Sequence, residues 1–445
     1  MSEPARSDHT RGSLFDPVFG AADLAPMLSD RAWLTALLDV EVAITRTAEC
    51  HGRATADDVA AVAAAAREIT HELDTAELGR LSAAGGNPVI PLVKILRERA
   101  DAPAAAVHVG ATSQDVLDSA LMVLSRNAGR RVVDALRTAA DAAARLAVVH
   151  RDTPMVARTL GQQALPTTFG ALAATWLVGL DDGIAAIERA LDVLPVQYGG
   201  AAGTLAAVYP DGPAFADALA DHLSLARPVL PWHTVRTPIT GLATALGVAT
   251  GSVSKVATDI VLMAATELGE VSEDAPGGSS AMPHKRNPVA AITARAAARR
   301  VPGLVATVLA SADHEFARAA GAWHAEWETL TDLIRLSGGA AQQLSVSLGG
   351  LHVHTDALAR NLGLTGGAIL AEKVTAALAE HTDDARDIVT AAALAGVPLD
   401  RDPAITGPLG VDRVRELLDP TCYLGHAGDL VDRATARHDT TEGPA

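Results

Sequence analysis

Cysteine, aromatic residues and positive charge are all scarce in this sequence. Its two cysteines, Cys50 and Cys422, exclude a disulfide framework and a cysteine-ligated zinc site. Aromatic residues make up 3% of the chain, so its core has to be built from small aliphatic side chains. The formal net charge of -17 argues against a nucleic-acid partner, which requires a basic face. An anionic substrate therefore needs a local concentration of positive groups.

No segment has the pattern of a signal peptide or a membrane span. Residues 1–12 are polar and mixed in charge, and the longest apolar runs, such as 164–180, contain proline and several threonines. We therefore predict a soluble, cytoplasmic protein without a membrane partner.

Apolar residues recur at helical spacing along most of the chain, and no alternating strand pattern of any length is present. Three shorter helices are predicted at 31–51, with Asp30 as the cap, and at 57–73 and 89–98. Longer apolar helices are predicted at 115–149, 166–194, 237–269, 288–311 and 326–348. Because the long helices are apolar around much of their circumference, we expect a helical bundle that is shared between subunits.

Composition divides the chain into three predicted domains. Residues 1–106 form an N-terminal helical domain, 107–350 a central long-helix domain, and 351–445 a small helical domain that is richer in proline. The run at 199–204 (GGAAGT) lacks the context of a nucleotide-binding motif and is interpreted as a tight turn. Neither a P-loop nor a Gly-x-Ser-x-Gly elbow occurs.

The segment 277–288 (GGSSAMPHKRNP) is the most unusual stretch of the sequence. Glycines, hydroxyls, a lysine, an arginine and an asparagine are concentrated in it. Asn287 followed by Pro288 has the chemistry of a helix start, which would place the segment at the positive end of a helix from 288 to 300, where anions are favoured. A solvated surface loop explains the composition equally well.

Two further polar segments precede long apolar helices. Segment 108–115 (HVGATSQD) has Thr112 and Asp115 at the spacing of a capping box, and segment 158–168 (RTLGQQALPTT) carries two adjacent glutamines. Structural capping and packing explain each segment when it is considered separately. Three polar segments at the N-termini of helices in one helical protein favour a site for a substrate with more than one carboxylate. His352 and His354 resemble a metal pair but lack a third ligand at a suitable spacing, so no metal is predicted.

The three polar segments resemble, in order, the three signature blocks of the fumarase/aspartase superfamily. The match of 278–288 is long and specific, and the resemblance covers nearly the whole chain. Within the superfamily, four stretches are most similar to bacterial 3-carboxy-cis,cis-muconate cycloisomerases: 86–93 (GNPVIPLV), 231–234 (PWHT), 323–328 (WHAEWE) and 419–425 (DPTCYLG). The resemblance implies an all-α, three-domain fold and a homotetramer in which three subunits contribute to each active site.

The resemblance also implies proton abstraction beside a carboxylate, with no metal or organic cofactor. Ser279 is then the base, activated by Lys285, and His108 donates a proton or orients the substrate. Residues implied to bind the small polycarboxylate substrate are Asn87, Thr112, Ser113, Arg158, Thr159, Gln163 and Asn287.

One departure from the superfamily pattern restricts the reactions that we expect for this protein. Many relatives carry a proton-donating histidine at the position of Leu160 or of Gln163, and this sequence has neither. A carboxylate or nitrite leaving group is a weak base and needs no such acid. We therefore expect a lactone-forming cycloisomerase, with a nitrosuccinate-type lyase as the alternative. A catalytically silent helical scaffold is a third hypothesis.

Overall fold

A computed structural model describes residues 15–19, 22–275, 277, 282 and 284–441. Most of these residues are helical, and the strands form only two small antiparallel sheets. The predicted all-α class is therefore confirmed. Ser279 lies outside the described residues.

The helices and strands have the following bounds in chain order. The first part contains α1 (Asp16–Phe19), α2 (Asp30–Cys50), α3 (Ala56–Glu72), α4 (Thr75–Gly85), α5 (Val89–Arg99), α6 (Ser113–Val149), β1 (Pro154–Thr159), β2 (Gln162–Thr168), α7 (Phe169–Asp192), α8 (Gly212–Leu223) and α9 (Thr237–Met263). The remainder contains β3 (Val271–Glu273), α10 (Val289–Ala298), α11 (Val301–Ala310), α12 (Ala322–Gly349), β4 (Leu351–Val353), α13 (Thr355–Leu362), α14 (Ala371–Leu378), α15 (Ala385–Leu394), α16 (Pro403–Leu409), α17 (Val411–Leu417) and α18 (Ala427–Thr441).

The chain divides into two compact units, each assembled from three segments. Among the described residues, the first unit contains those within 1–136, 182–254 and 293–343, and the second contains those within 137–181, 255–292 and 344–445. Within the second unit, helices α14 to α17 share a small apolar core that includes Val374, Leu378 and Ile405. The division into three domains at 106 and 350 stays a prediction.

Local capping decides where the first helices begin. Helix α2 starts after Ser29, whose side chain accepts a hydrogen bond from the N–H of Ala32, so the predicted cap Asp30 is already inside the helix. Helix α3 begins with a full capping box between Thr55 and Asp58. Both ends of this box satisfy N–H groups that the first helical turn leaves without a partner.

The long helices occur close to their predicted positions, with two corrections. Helix α9 ends at Met263 and not at the predicted residue 269. Helix α6 has 37 residues, or roughly 55 Å at the usual helical rise. The helix predicted at 288–311 is instead two helices, α10 and α11, because Pro302 in the first turn of α11 cannot continue the hydrogen-bond pattern. Helices α7 and α9 are long and apolar enough to span a membrane, but about half of each apolar stretch is buried within the protein.

The β1–β2 hairpin was not predicted from the sequence, which indicated a helix start at 166. The hairpin places residues 158 and 159 opposite 163 and 162, and helix α7 begins only at Phe169. Its turn residues Leu160 and Gly161 both have positive φ angles, 53° and 78°. A turn with two positive φ angles usually carries Asn-Gly or Asp-Gly, so Leu at the first turn position gives no usual hairpin signal.

Candidate active site

Segment 108–115 lies in the first unit and leads into helix α6. His108 and Gly110 have positive φ angles of 63° and 65°, so the chain turns sharply before the helix begins at Ser113. The backbone N–H of Thr112 donates to Oδ2 of Asp115 at 2.9 Å, which is one half of the predicted capping box. The segment therefore combines a bent backbone with a fixed helix start.

Sequence reasoning missed Arg318, which contacts the same segment. Its Nη1 donates to the hydroxyl of Thr112 at 2.7 Å, although the two residues are 206 positions apart. The Nε group of Arg318 is buried and has no hydrogen-bond partner among the described residues. A partly buried guanidinium with an unused donor beside a hydroxyl is suited to binding a carboxylate. No local sequence pattern marks Arg318.

Asp115 anchors the base of this segment. Its carboxylate is fully buried, and Oδ1 lies 2.7 Å from Nε2 of His233. Oδ2 also accepts the N–H of Gly200 at 2.9 Å. Gly200 belongs to the predicted turn at 199–204, and a Cβ there would lie 3.0 Å from the carbonyl oxygen of Gly110. The glycine run therefore lets two backbone segments approach closely.

Tyr198 is hydrogen-bonded to the backbone of segment 108–115. Its hydroxyl donates to the carbonyl oxygen of Val109 at 2.7 Å. Burial raises the pKa of the Tyr198 hydroxyl, and the negative charge of Asp115 adds to this effect, so the group stays a proton donor. A Cβ on Gly110 would lie 2.7 Å from this hydroxyl oxygen, which explains why a glycine occupies the position.

A buried charge network lies next to this segment in the first unit. Arg236 donates to both oxygens of Asp118 at 2.7 and 3.0 Å and to Glu326 at 2.5 Å, and all three side chains are excluded from solvent. Trp323 Nε1 donates to Asp118 at 2.9 Å. The network thus includes residues from 323–328 and from the neighbourhood of 231–234, two of the stretches that resemble the cycloisomerases.

His108 is paired with a second residue that the sequence did not reveal, Glu41. Its Nδ1 lies 2.7 Å from Oε1 of Glu41, whose side chain is fully buried. Burial lowers the pKa of His108, but the hydrogen bond and the charge of Glu41 outweigh it, so the pKa of His108 is raised above its usual value.

Asn87, a predicted substrate-binding residue, lies just before Pro88, the N-cap residue of helix α5, and its side chain accepts from the first N–H groups of the helix. Its Oδ1 accepts from the N–H groups of Val89 and Ile90 at 3.1 and 3.4 Å, and its Nδ2 donates to the carbonyl oxygen of Gly85. The side chain is 9% exposed. These contacts give Asn87 a structural role, and its contact with substrate stays a prediction.

In the second unit, the partly buried side chain of Arg158 forms an ion pair. Its two terminal nitrogens donate to the two oxygens of Glu270 at 2.9 and 2.6 Å. Glu270 is fully buried and also accepts from Asn361 Nδ2 at 2.8 Å. Arg158 thereby neutralises a buried carboxylate of its own unit, which is a contact the sequence did not predict.

Two further polar residues, Thr159 and Gln163, lie near the turn of the hairpin. Thr159 and Leu160 are exposed. Gln163 Nε2 donates to the carbonyl oxygen of Asn361 at 2.9 Å, whereas its Oε1 is buried and has no partner within the part of the chain that is described. Gln163 is therefore held by one end of its amide and retains an acceptor at the other.

Gly277 and Asn287 join the two ends of the third polar segment. Their backbones exchange two hydrogen bonds of 3.0 Å, and Nδ2 of Asn287 donates to the same carbonyl oxygen of Gly277. Lys285 is exposed, and its backbone N–H donates to the carbonyl oxygen of Met282 at 3.0 Å. Its ammonium group has no ion-pair partner among the residues that the structure describes.

The sequence predicts that the start of helix α10 favours an external anion, but a carboxylate of the protein itself is bound there. The carboxylate of Glu273, at the end of β3, accepts from the N–H groups of Ala290 and Ala291 at 3.1 and 2.9 Å. Ser347 also donates to this carboxylate at 2.6 Å. Pro288 precedes the helix instead of opening it. An internal carboxylate thus already occupies this helix N-terminus.

The two histidines considered as a metal pair each have another partner. His352 pairs with Asp274, and Nε2 of His354 lies 2.9 Å from the hydroxyl of Ser272. These contacts tie β4 to β3 and its following residue.

The predicted site residues fall into two sets, one in each unit. The first unit contains Asn87, His108, Thr112 and Ser113, of which the last three lie in one continuous segment. The second unit contains Arg158, Thr159, Gln163, Lys285 and Asn287.

Comparison with known proteins identifies close relatives over the whole length. A family model described as lyase matches residues 19–303. The chain is 41% identical to a nitrosuccinate lyase of Streptomyces davaonensis, covering 96% of this chain and 95% of that protein. It is also 41% identical to a 3-carboxy-cis,cis-muconate cycloisomerase of Pseudomonas aeruginosa, covering 97% and 98%. The crystal structure of the 3-carboxy-cis,cis-muconate lactonizing enzyme from Pseudomonas putida has a TM-score of 0.89 and 38% identity, covering 97% of this chain and 100% of that one.

Proposed function

The chain belongs to the lyase family of the fumarase/aspartase superfamily, and we propose that it is a cycloisomerase that converts 3-carboxy-cis,cis-muconate to 4-carboxymuconolactone in protocatechuate degradation. The enzymes with this activity in Pseudomonas share about two residues in five with the chain over nearly its full length.

One observation on the site supports this chemistry most directly. The β1–β2 hairpin, where many superfamily members carry their proton-donating histidine, contains no acid here. Leu160 is apolar, and Gln163 is an amide bound to the backbone of Asn361. A leaving group that is a weak base departs without protonation, and the ring carboxylate of a lactone is such a group.

The proposed mechanism uses Ser279 as the proton-transferring group. In lactonisation, a carboxylate oxygen of the muconate adds to a carbon of the neighbouring double bond. The electron pair of that bond moves onto the adjacent carboxylate, and Ser279 delivers a proton to the carbon next to it. In the reverse direction the Ser279 alkoxide removes this proton, and Lys285 stabilises the negative charge of both the alkoxide and the intermediate.

The remaining polar groups bind the carboxylates of the substrate in this proposal. Thr112, Ser113, Thr159 and Asn287 supply uncharged donors, and His108 supplies a positive one. Arg318 adds a guanidinium next to Thr112. These groups allow a small polycarboxylate to bind to a protein whose formal net charge is -17.

The active form in this proposal is a soluble, cytoplasmic homotetramer with active sites shared between subunits. Exposed apolar side chains on the long helices support assembly, because Val248, Leu262 and Val346 are each more than half exposed in the isolated chain. A bundle formed by several chains buries such residues.

A nitrosuccinate lyase is the second candidate. A relative with that name is as similar in sequence as the cycloisomerase of Pseudomonas aeruginosa. Nitrite is also a weak base, so the absence of an acid in the hairpin fits this reaction too.

Two parallel assays with purified protein separate these activities. We expect the ultraviolet absorbance of 3-carboxy-cis,cis-muconate to fall as its conjugated diene is consumed. Release of nitrite and fumarate from nitrosuccinate, without turnover of the muconate, would establish the lyase instead. Inactivity of the intact oligomer on both acids would contradict both enzymatic proposals and favour a silent scaffold.

Substitution of neighbouring serines tests the proposed base. Ser279→Ala is expected to abolish turnover while the oligomer stays folded, whereas the matched variant Ser280→Ala retains activity. Comparable activity in Ser279→Ala and the wild type would remove Ser279 from the mechanism.

A further inference from the structure

Glu41 is a buried carboxylate that the proposed mechanism does not use. It lies on helix α2, and its side chain has 0% exposure. Oε1 is 2.7 Å from Nδ1 of His108, but Oε2 is buried without a hydrogen-bond partner among the described residues. An ionised carboxylate in such a place requires a positively charged partner, because one neutral hydrogen bond does not replace its lost hydration.

His108 is held in an unusual backbone conformation beside this carboxylate. Its φ angle is 63°, in the left-handed region that residues with a Cβ rarely adopt. Its side chain is 16% exposed, and no described residue forms a hydrogen bond with Nε2. Glu41 thus binds one ring nitrogen, and the other is left for a ligand.

We propose that Glu41 is a positioning residue that keeps His108 as an imidazolium and directs its Nε2–H toward a carboxylate of the substrate. This inference deepens the proposed function and rests on it, because it concerns His108 as one of the groups that bind a carboxylate of the substrate. The imidazolium then supplies a permanent positive hydrogen-bond donor for that carboxylate. Glu41 acts only through His108 and does not contact substrate.

The charges around His108 support a protonated ring. Glu41 on α2 and Asp115 on α6 both raise the pKa of His108, whereas burial and Arg97 on α5 lower it. The effects of the two carboxylates are larger together, so the pKa of His108 is raised. Arg97 is itself occupied in part by the carbonyl oxygen of Val107, to which its Nη2 donates at 3.1 Å.

The sign of the resulting pH dependence follows from this shift. Because folding raises the pKa of His108, the ion pair stabilises the protein fully below the pKa of an unfolded histidine. That stabilisation is lost as the pH rises through the folded pKa. Activity that depends on the imidazolium is lost over the same range.

The variant Glu41→Gln tests the inference because it keeps the shape and an acceptor but removes the charge. The first readout is the pH dependence of diethylpyrocarbonate modification of His108, which requires the neutral ring. Because the chain has 15 histidines, the His108 peptide is followed by mass spectrometry. We expect the midpoint to move to lower pH by about one pH unit or more in Glu41→Gln.

Thr45→Val is the matched control. Thr45 lies one turn further along α2, is fully buried, and donates to the carbonyl oxygen of Ala106 at 2.9 Å. Its replacement removes a buried tether to the same segment without changing the charge near His108. The reactivity midpoint of Thr45→Val should coincide with that of the wild type. If Glu41→Gln and Thr45→Val have the same midpoint as the wild type, the inference is wrong.

The second readout is the pH profile of kcat/KM with the active substrate. We expect kcat/KM of Glu41→Gln to be about 10²-fold lower at neutral pH, with its alkaline limb displaced to lower pH. Glu41→Asp, which retains the charge, should recover part of this loss. Glu41→Asp also keeps the test decisive if Glu41→Gln does not fold. An alkaline limb of Glu41→Asp at the same pH as in the wild type supports the inference. A loss of kcat/KM in Glu41→Asp as large as the loss in His108→Gln contradicts it.

The two proposals fail in different ways. If the wild type turns over neither acid, the proposed function is wrong, whereas the modification midpoints still decide whether Glu41 controls the charge of His108. If turnover is observed and the midpoints coincide, the function stands and the role of Glu41 is rejected.

Discussion

Arg236 and Asp118 face each other through two hydrogen bonds of 2.7 and 3.0 Å, and neither side chain is exposed to solvent. The same guanidinium donates to Glu326, and its centre lies 4.8 Å from the ring centroid of Trp232. Burial lowers the pKa of Arg236, but Asp118 and Glu326 raise it more, so the guanidinium stays charged. One cation thus binds two buried carboxylates.

Removal of this cation should destabilise the protein strongly. In Arg236→Met both Asp118 and Glu326 stay buried without their main partner, which costs about 3–5 kcal/mol for a broken buried pair. We expect a marked fall in the thermal midpoint measured by circular dichroism. The control is Arg227→Met, which removes an exposed pair with Asp221 and should leave the thermal midpoint nearly unchanged. Equal midpoints for the two variants would contradict a structural role for the network.

Arg318 should contribute to substrate binding. The loss of a charged hydrogen bond costs about 1.5–3 kcal/mol, so Arg318→Met is expected to raise KM by roughly 10- to 100-fold. Arg318→Lys restores the charge but not the paired donors, and it should recover binding only in part. The measurement is steady-state kinetics with the active substrate. Arg413→Met serves as the control because Arg413 pairs with Glu416 at the surface. An unchanged KM in Arg318→Met would exclude it from the site.

The long helices could be predicted from sequence because their signal is local. Helical spacing of apolar residues located α2, α6 and α12 to within a few residues. The β1–β2 hairpin was missed since its strands show no regular alternation of buried and exposed residues and its turn begins with Leu160 in a left-handed conformation. The cap of α10 was also missed, because Glu273 is remote from the helix start in sequence.

The candidate site was only partly predictable for a related reason. The polar segments stood out by composition, which located His108, Thr112 and the segment from Gly277 to Asn287. The partners of these residues are distant in sequence: Glu41 is 67 positions from His108, and Arg318 is 206 from Thr112. Such pairs are created by tertiary packing, so no spacing rule identifies them.

Glu273 should be necessary for the stability of helix α10. Its buried carboxylate accepts hydrogen bonds from Ala290, Ala291 and Ser347. In Glu273→Gln an amide NH2 group replaces one accepting oxygen and faces these donors. We expect the free energy of unfolding, measured by heat or urea, to fall by about 1–3 kcal/mol. The control is Asp402→Asn at the exposed cap of α16, where asparagine caps as well as aspartate. A Glu273→Gln protein as stable as Asp402→Asn would show that another group caps α10.

Two glycines near the hairpin should respond differently to the same substitution. At Gly170 an added Cβ would lie 2.6 Å from the carbonyl oxygen of Ala147 and from Cα of Arg151, so backbone has to move. Gly161 has open space around it but a φ angle of 78°, and its substitution by alanine costs only the conformational strain of about 1 kcal/mol. Gly170→Ala should therefore lower the thermal midpoint much more than Gly161→Ala. Gly161→Asn should be nearly neutral, since asparagine tolerates this conformation. The opposite order would mean that the hairpin turn, rather than the start of α7, limits stability here.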